Sequence, residues 1–134
     1  MKQIPTVCAA LALTFAAIFP SYAASPRVFF IAPSDGATVA NPFTVKFGLE
    51  GLSLKPAGDE SPDSGHHHLI IDGGPLDEDI VVPFNDKSIH FGKAQTETQL
   101  TLPPGTHTLT LQFANGGHLS YGPALSATIH VNVK

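Results

Sequence analysis

Three consecutive histidines begin the segment formed by residues 65–72, and their type and spacing are suited to metal binding. The apolar residues after them predict a β-strand, on which side chains alternate between the two faces. His66 and His68 therefore point the same way, about 7 Å apart, a separation that two ligands of one metal ion can bridge. The segment thus predicts two ligands of a metal site.

The elements that position these histidines are short strands. Apolar and polar residues alternate in runs separated by Gly and Pro, and no stretch keeps a helical period for long. The expected strands are residues 27–32, 43–49, 66–72, 80–82, 88–91, 96–102, 107–113 and 124–133. This spacing predicts an all-β fold, an immunoglobulin-like antiparallel β-sandwich of about seven strands.

This topology sorts the histidines by position. In such a sandwich, alternate loops between strands gather at the same end. His66 and His68 follow one of these loops, His90 ends a short strand, and His118 lies in the loop of residues 115–118. We therefore predict that His66, His68, His90 and His118 form a metal-binding cluster at one end of the sandwich.

The other three histidines have structural interpretations. His107 follows the turn of residues 103–105, where sandwich domains place a corner tyrosine that bonds back to the chain, and an imidazole can do the same. His130 is expected to be a solvated strand residue. His67 points away from His66 and is expected to be packed and hydrogen-bonded.

The N-terminus has the features of an export signal. Lys2 precedes an apolar run over residues 7–19, and Ser21-Tyr22-Ala23 is typical of a cleavage site. We expect residues 1–23 to be removed as a signal peptide and residues 24–134 to form one domain in the periplasm. The apolar run is too short to span a bilayer, so we expect no membrane span in the mature chain.

Cleavage would also decide which ligand atoms remain. Met1 and Cys8 are the only sulfur-containing residues and both precede the cleavage site. Any metal would then be held by nitrogen and oxygen. The formal net charge of −4, with acidic residues gathered in 59–63 and 77–79, argues against a nucleic-acid partner, for which a basic patch is expected.

Three segments resemble the signature of a known family. Residues 65–72 (GHHHLIID), 90–97 (HFGKAQTE) and 102–109 (LPPGTHTL) are similar to segments of a bacterial exported family catalogued as a domain of unknown function, over residues 28–133. The resemblance implies a small periplasmic β-sandwich without an established activity, and some members carry a rod-shape-determining label. Relatives are often richer in acids and histidines in the loop that holds His118.

The ligand types favour particular ions. Neutral imidazoles suit Cu(II), Zn(II) and Ni(II), and the Irving–Williams order makes copper the first expectation and zinc the second. Asp72 shares a strand face with His66 but lies near the far end of the strand, too far away to be a ligand. Glu97 and Asp63 are left open as carboxylate ligands.

The chain offers no pattern typical of catalysis. A Gly-x-Ser-x-Gly nucleophile elbow is absent, and so are the disulfide and bridging-histidine pattern of copper–zinc superoxide dismutase. We therefore expect a metal-binding protein that is not an enzyme. The alternative is a non-metal interaction module of the cell envelope, which presents its loops to a periplasmic protein partner and in which the histidines are structural.

Overall fold

The computed structural model describes residues 15–134, and its regular structure is almost entirely β. The strands in chain order are β1 (Arg27–Ala32), β2 (Ala37–Val39), β3 (Phe43–Glu50), β4 (Ser53–Leu54), β5 (Ser64–Ile71), β6 (Glu78–Val81), β7 (Ser88–His90), β8 (Glu97–Leu100), β9 (Gly105–Ala114), β10 (Leu119–Tyr121) and β11 (Ser126–Val133). A short 3-10 turn at Pro123–Leu125 precedes β11. Much of the predicted signal peptide, including Lys2 and Cys8, falls on residues 1–14, which lie outside the described residues, so its cleavage stays a prediction.

Two sheets pack against each other. The smaller sheet holds β1, β3 and β8, with β3 in the middle. In the larger sheet β9 pairs antiparallel with β11 on one side and with β5 on the other. Beyond these, β2 adds to β11 and β7 adds to β5. The prediction of an all-β sandwich is confirmed.

The strand count differs from the expected seven. Eleven strands occur among the described residues, and the sequence pattern does not predict β2, β4 and β10. Each has only two or three residues, too few for an alternating pattern to be recognised. Two of them also pair in parallel, β2 with β11 and β4 with β5, so the sandwich is not wholly antiparallel as predicted.

The hydrophobic core lies between the sheets and follows the alternation along each strand. Leu69 on β5 and Leu109, Leu111 and Phe113 on β9 are fully buried in it. Burying each such side chain stabilises the fold by roughly 1.5–3 kcal/mol. This shared row of apolar side chains keeps β5 in register with β9.

The outer face of the larger sheet is also covered, by residues 73–84, which we call the strap. The Thr110 hydroxyl donates to the Gly73 carbonyl at 2.9 Å, and Gln112 Oε1 accepts from the Leu76 N–H at 2.9 Å. The strap includes β6, which pairs with β10. Thr110 and Gln112 are fully buried beneath it. As a result β5 is buried on both faces, including the face that carries two histidines of its triplet.

Candidate metal centre

Four imidazoles meet on the outer face of the larger sheet. His66 and His68 lie on β5, His90 is the last residue of β7, and His118 lies in the loop between β9 and β10. One ring nitrogen from each lies within 4.8 Å of those of the other three. The predicted convergence of these four side chains is confirmed, although it occurs on an outer sheet face and not, as predicted, among the loops at one end of the sandwich. We call the four side chains the histidine cluster.

Strand register brings the cluster together. His68 lies opposite His90 across the β5–β7 pair, and His66 lies opposite Ala114, the last residue of β9. The loop with His118 begins immediately after Ala114. His118 therefore lies over the same end of β5 as His66 and His68.

Asn115 shapes the loop that carries His118. Its Oδ1 accepts hydrogen bonds from the N–H groups of Gly117 and Leu119, both at 3.0 Å, a turn that Asn side chains favour. His118 has a φ of 69°, which is uncommon for a residue other than glycine. Its carbonyl accepts a hydrogen bond from the Val82 N–H at 3.0 Å, which ties the loop to the strap.

Two glycines make room for the cluster. A Cβ on Gly65 would overlap the Ala114 carbonyl, so glycine at this position allows β5 to begin against the end of β9. A Cβ on Gly92 would overlap the ring of His90 and lie 2.9 Å from its Nε2. Glycine at position 92 therefore lets the His90 ring lie against the main chain and reach the cluster.

His90 occupies the middle of the group. Its Nε2 lies 3.0 Å from His66 Nε2 and 2.9 Å from His118 Nε2. A ring nitrogen carries either one hydrogen or one lone pair, so between neutral imidazoles His90 Nε2 can satisfy only one of these two short contacts. The ring of His68 lies 4.8 Å from that of His66 and 5.1 Å from that of His90, measured between centroids. A cation among the nitrogens would use their lone pairs at the same time.

Burial keeps the two cluster histidines of β5, His66 and His68, neutral. Their exposed fractions are 0% for His66 and 2% for His68. Burial, followed by the charges on His90 and His118, lowers the pKa of His66 to about 4. Burial and the three neighbouring imidazoles lower the pKa of His68 to about 3, and burial also lowers the pKa of His90. Neutral imidazole is the form that binds metal, so protons compete little at neutral pH.

Several buried nitrogens of the cluster lack a protein partner. His66 Nδ1 and both ring nitrogens of His68 make no hydrogen bond to any residue from 15 to 134. A buried polar atom without a partner costs roughly 1–3 kcal/mol, and such atoms are few in native proteins. Each neutral ring has one lone pair that a metal ion could use, so the cluster is compatible with a metal site.

Among the described residues, no carboxylate belongs to this ligand group. Glu97 and Asp63, the two carboxylates left open by the sequence, are both outside it. Glu97 lies on β8 in the smaller sheet, 3.7 Å from Lys46 Nζ. Asp72 is outside the group, as predicted, and its carboxylate contacts His107 instead. The group is therefore built from imidazole alone.

His67 belongs to the core. It is fully buried, with its ring centroid 4.8 Å from that of Phe47 and 5.2 Å from that of Phe113. The prediction of a packed histidine is confirmed. The prediction that it is hydrogen-bonded is wrong, because this face of β5 meets aromatic rings and neither ring nitrogen has a partner in the described part of the chain.

The two remaining histidines lie apart from the cluster, as predicted. His107 Nε2 donates to the Pro103 carbonyl at 2.8 Å, so the imidazole bonds back to the turn in the way expected of a corner residue. His130 is exposed on β11, with its Nδ1 3.3 Å from Asp35 Oδ1. Neither contributes to the candidate site.

The strap lies beside the site, a position that no sequence pattern predicts. The strap's residues 81–84 face His68, His90 and His118 across a cavity of about 370 Å³, which Gly117 also lines. A strand was predicted at residues 80–82, but nothing in the pattern indicates that it crosses the face opposite the core.

Comparison with known proteins identifies the family. The model of a family described as a domain of unknown function, DUF4399, matches residues 45–134. The chain belongs to this family. The match contains all four histidines of the cluster, and the family's description states no activity. No curated protein and no solved structure matches this DUF4399 chain. In the part of the chain that the structure describes, no helix has the length and hydropathy needed to cross a membrane.

Proposed function

We propose that this DUF4399 protein binds a transition-metal ion through His66, His68, His90 and His118, in the periplasm after removal of residues 1–23. The observation that carries the proposal is the position of His90 Nε2, 2.9 and 3.0 Å from two other ring nitrogens that hydrogen bonding cannot satisfy together. A bound cation removes this conflict. The export signal predicted from the sequence supports the proposed location in the periplasm.

Copper is the first choice of ion and zinc the second. Four imidazole nitrogens without sulfur or carboxylate suit both ions, and the Irving–Williams order favours copper. At a metal–nitrogen distance of about 2.0 Å, neighbouring ligands stand about 2.8 Å apart in a square plane and about 3.3 Å apart in a tetrahedron. The two short Nε2 contacts, at 2.9 and 3.0 Å, lie near both values, and the ligand atoms of the whole group lie within 4.8 Å of one another, so the preference for copper rests on the Irving–Williams order.

The proposed role is binding without catalysis. Every ligand-forming group in the cluster is an imidazole, and each would be engaged with the ion. No carboxylate of the described residues belongs to the group, so no general base stands among the ligands. We therefore propose that the protein holds or transfers its ion.

The test is a titration of the purified protein with Cu(II) and with Zn(II), followed by calorimetry and by thermal unfolding. We expect one equivalent of copper to bind and the melting temperature to rise, because an ion that binds only the folded state stabilises it by about 2.7 kcal/mol at a hundredfold excess over Kd. The double variant His66→Ala/His68→Ala is expected to lose this response.

A variant that lacks a single ligand and a control variant distinguish loss of the metal site from misfolding. His118→Asn removes one ligand at a position whose positive φ asparagine tolerates, and it should weaken copper binding by about a hundredfold with the fold kept. His130→Ala, at an exposed histidine outside the cluster, should bind as the parent does. Melting temperatures unchanged by either metal would instead support a cell-envelope interaction module with structural histidines.

A further inference from the structure

One side of the histidine cluster opens to a cavity, and the other is closed. His68, His90 and His118 line the cavity of about 370 Å³, whereas the fully buried His66 does not. His68 is 2% exposed, and both of its ring nitrogens lack a partner among residues 15–134. Any small molecule that reaches the cluster therefore reaches it from this side.

The wall facing the imidazoles is apolar. It is formed by Val81, Val82, Pro83 and Phe84 of the strap, and within residues 15–134 no charged side chain lines the cavity. Its volume is at the lower end of the range found for ligand pockets, which usually combine an apolar lining with a few polar groups. Here the polar groups are the imidazoles. The cavity therefore has one side formed by imidazoles, where an ion would bind, and one apolar side.

The wall is also held in place. The Val82 N–H donates to the His118 carbonyl at 3.0 Å, and Val81 pairs with Leu119 across β6 and β10. Val82 is 6% exposed, whereas Val81 is 61% and Phe84 96% exposed. The inner part of the wall is therefore packed, and its outer part forms the mouth of the cavity.

We propose that this cavity is a ligand site on the bound ion, and that it takes a small uncharged donor of the imidazole or thioether class with an apolar body. The inference rests on the proposed metal site. The donor atom binds the ion at the side lined by His68, His90 and His118, and the body packs against the strap. The ion held by the protein is thus available to an incoming ligand from one direction.

The test adds imidazole, 1-methylimidazole and 1-butylimidazole in turn to the copper-loaded protein and follows the visible absorption and the electron paramagnetic resonance of Cu(II). We expect each probe to shift both spectra while copper remains on the protein through gel filtration. The butyl compound should bind about tenfold more tightly than the methyl compound, because its added methylene groups leave water for the apolar wall.

A pair of surface variants tests the wall itself. Val81→Ser/Phe84→Ser should reduce the butyl preference to about twofold, with copper affinity unchanged. Ile31→Ser is the matched control, because Ile31 is also 61% exposed but lies on β1 in the other sheet. It should keep the full preference.

The outcomes separate this inference from the metal site. A protein that gives no copper spectrum and whose melting temperature neither Cu(II) nor Zn(II) raises overturns the proposed function and this inference with it. A copper-loaded protein whose spectra ignore all three probes, that shows no butyl preference, or that loses its copper to the probes overturns the ligand site alone.

Discussion

Histidines at two different places in this sandwich, the cluster and the single residue His107, have opposite surroundings. In the cluster, His90 Nε2 faces the ring nitrogens of His66 and His118. At the turn before β9, His107 Nδ1 lies 3.1 Å from both carboxylate oxygens of Asp72, and its Nε2 lies 2.8 Å from the Pro103 carbonyl. The first meets nitrogen and the second meets oxygen.

The difference decides the charge of each group. Both nitrogens of His107 face acceptors, so only the protonated ring satisfies them, and the Pro103 and Asp72 hydrogen bonds raise the pKa of His107. Burial and neighbouring imidazoles instead lower the pKa values of His66 and His68. Identical side chains are thus shifted toward the protonated or toward the neutral form according to the atoms they face.

Of the two substitutions that test this contrast, Gly92→Ala is expected to have the larger effect. The added methyl group would overlap the His90 ring and displace it from the middle of the cluster. We expect copper affinity to fall about tenfold, the range typical when a group that orients a ligand is altered. Isothermal titration calorimetry measures the change.

The matched control is Gly74→Ala, because a Cβ at Gly74 meets no atom of the described residues within 4 Å. It should bind copper as the parent does, and His107 should be unaffected in both variants. Equal copper affinity in the two glycine variants would show that the position of His90 does not matter for binding.

A smaller effect is expected from His107→Gln. Because the folded pKa of His107 is raised, its stabilisation is fully present below the unfolded value of about 6.5 and is lost as the pH rises through the folded value. The variant should lose about 1 kcal/mol of unfolding free energy at pH 6, and less at pH 8.5. Urea denaturation of the metal-free protein at both pH values gives the difference.

His130→Gln is the control for this variant, since its contact with Asp35 is exposed and such pairs contribute little. Copper affinity should be the same in His107→Gln as in the parent. A loss of stability that grows from pH 6 to pH 8.5 would contradict a cationic His107.

Much of the cluster could be predicted from the sequence. Strand alternation places His66 and His68 on one face, and sandwich topology brings His90 and His118 to the same end as these two. These rules concern local geometry or strand order, so they can be applied to a sequence without knowing how the elements pack. The role of His107 followed in the same way from its place after a Pro-Gly turn.

The rest depends on long-range packing that no local pattern records. The strap covers the outer sheet face through contacts such as that of Leu76 with Gln112, 36 positions apart. The unpartnered nitrogens of His67 result from Phe47, which comes from the other sheet. The short strands β2, β4 and β10 form because neighbours pair with them, not because their own residues demand it.

The most direct test of the account is anomalous diffraction at the copper edge from crystals of the copper-loaded protein. We expect one anomalous peak per chain, within bonding distance of ring nitrogens of His66, His68, His90 and His118. A peak elsewhere, such as at His130 and Asp35, with the four imidazoles free of metal, would contradict it.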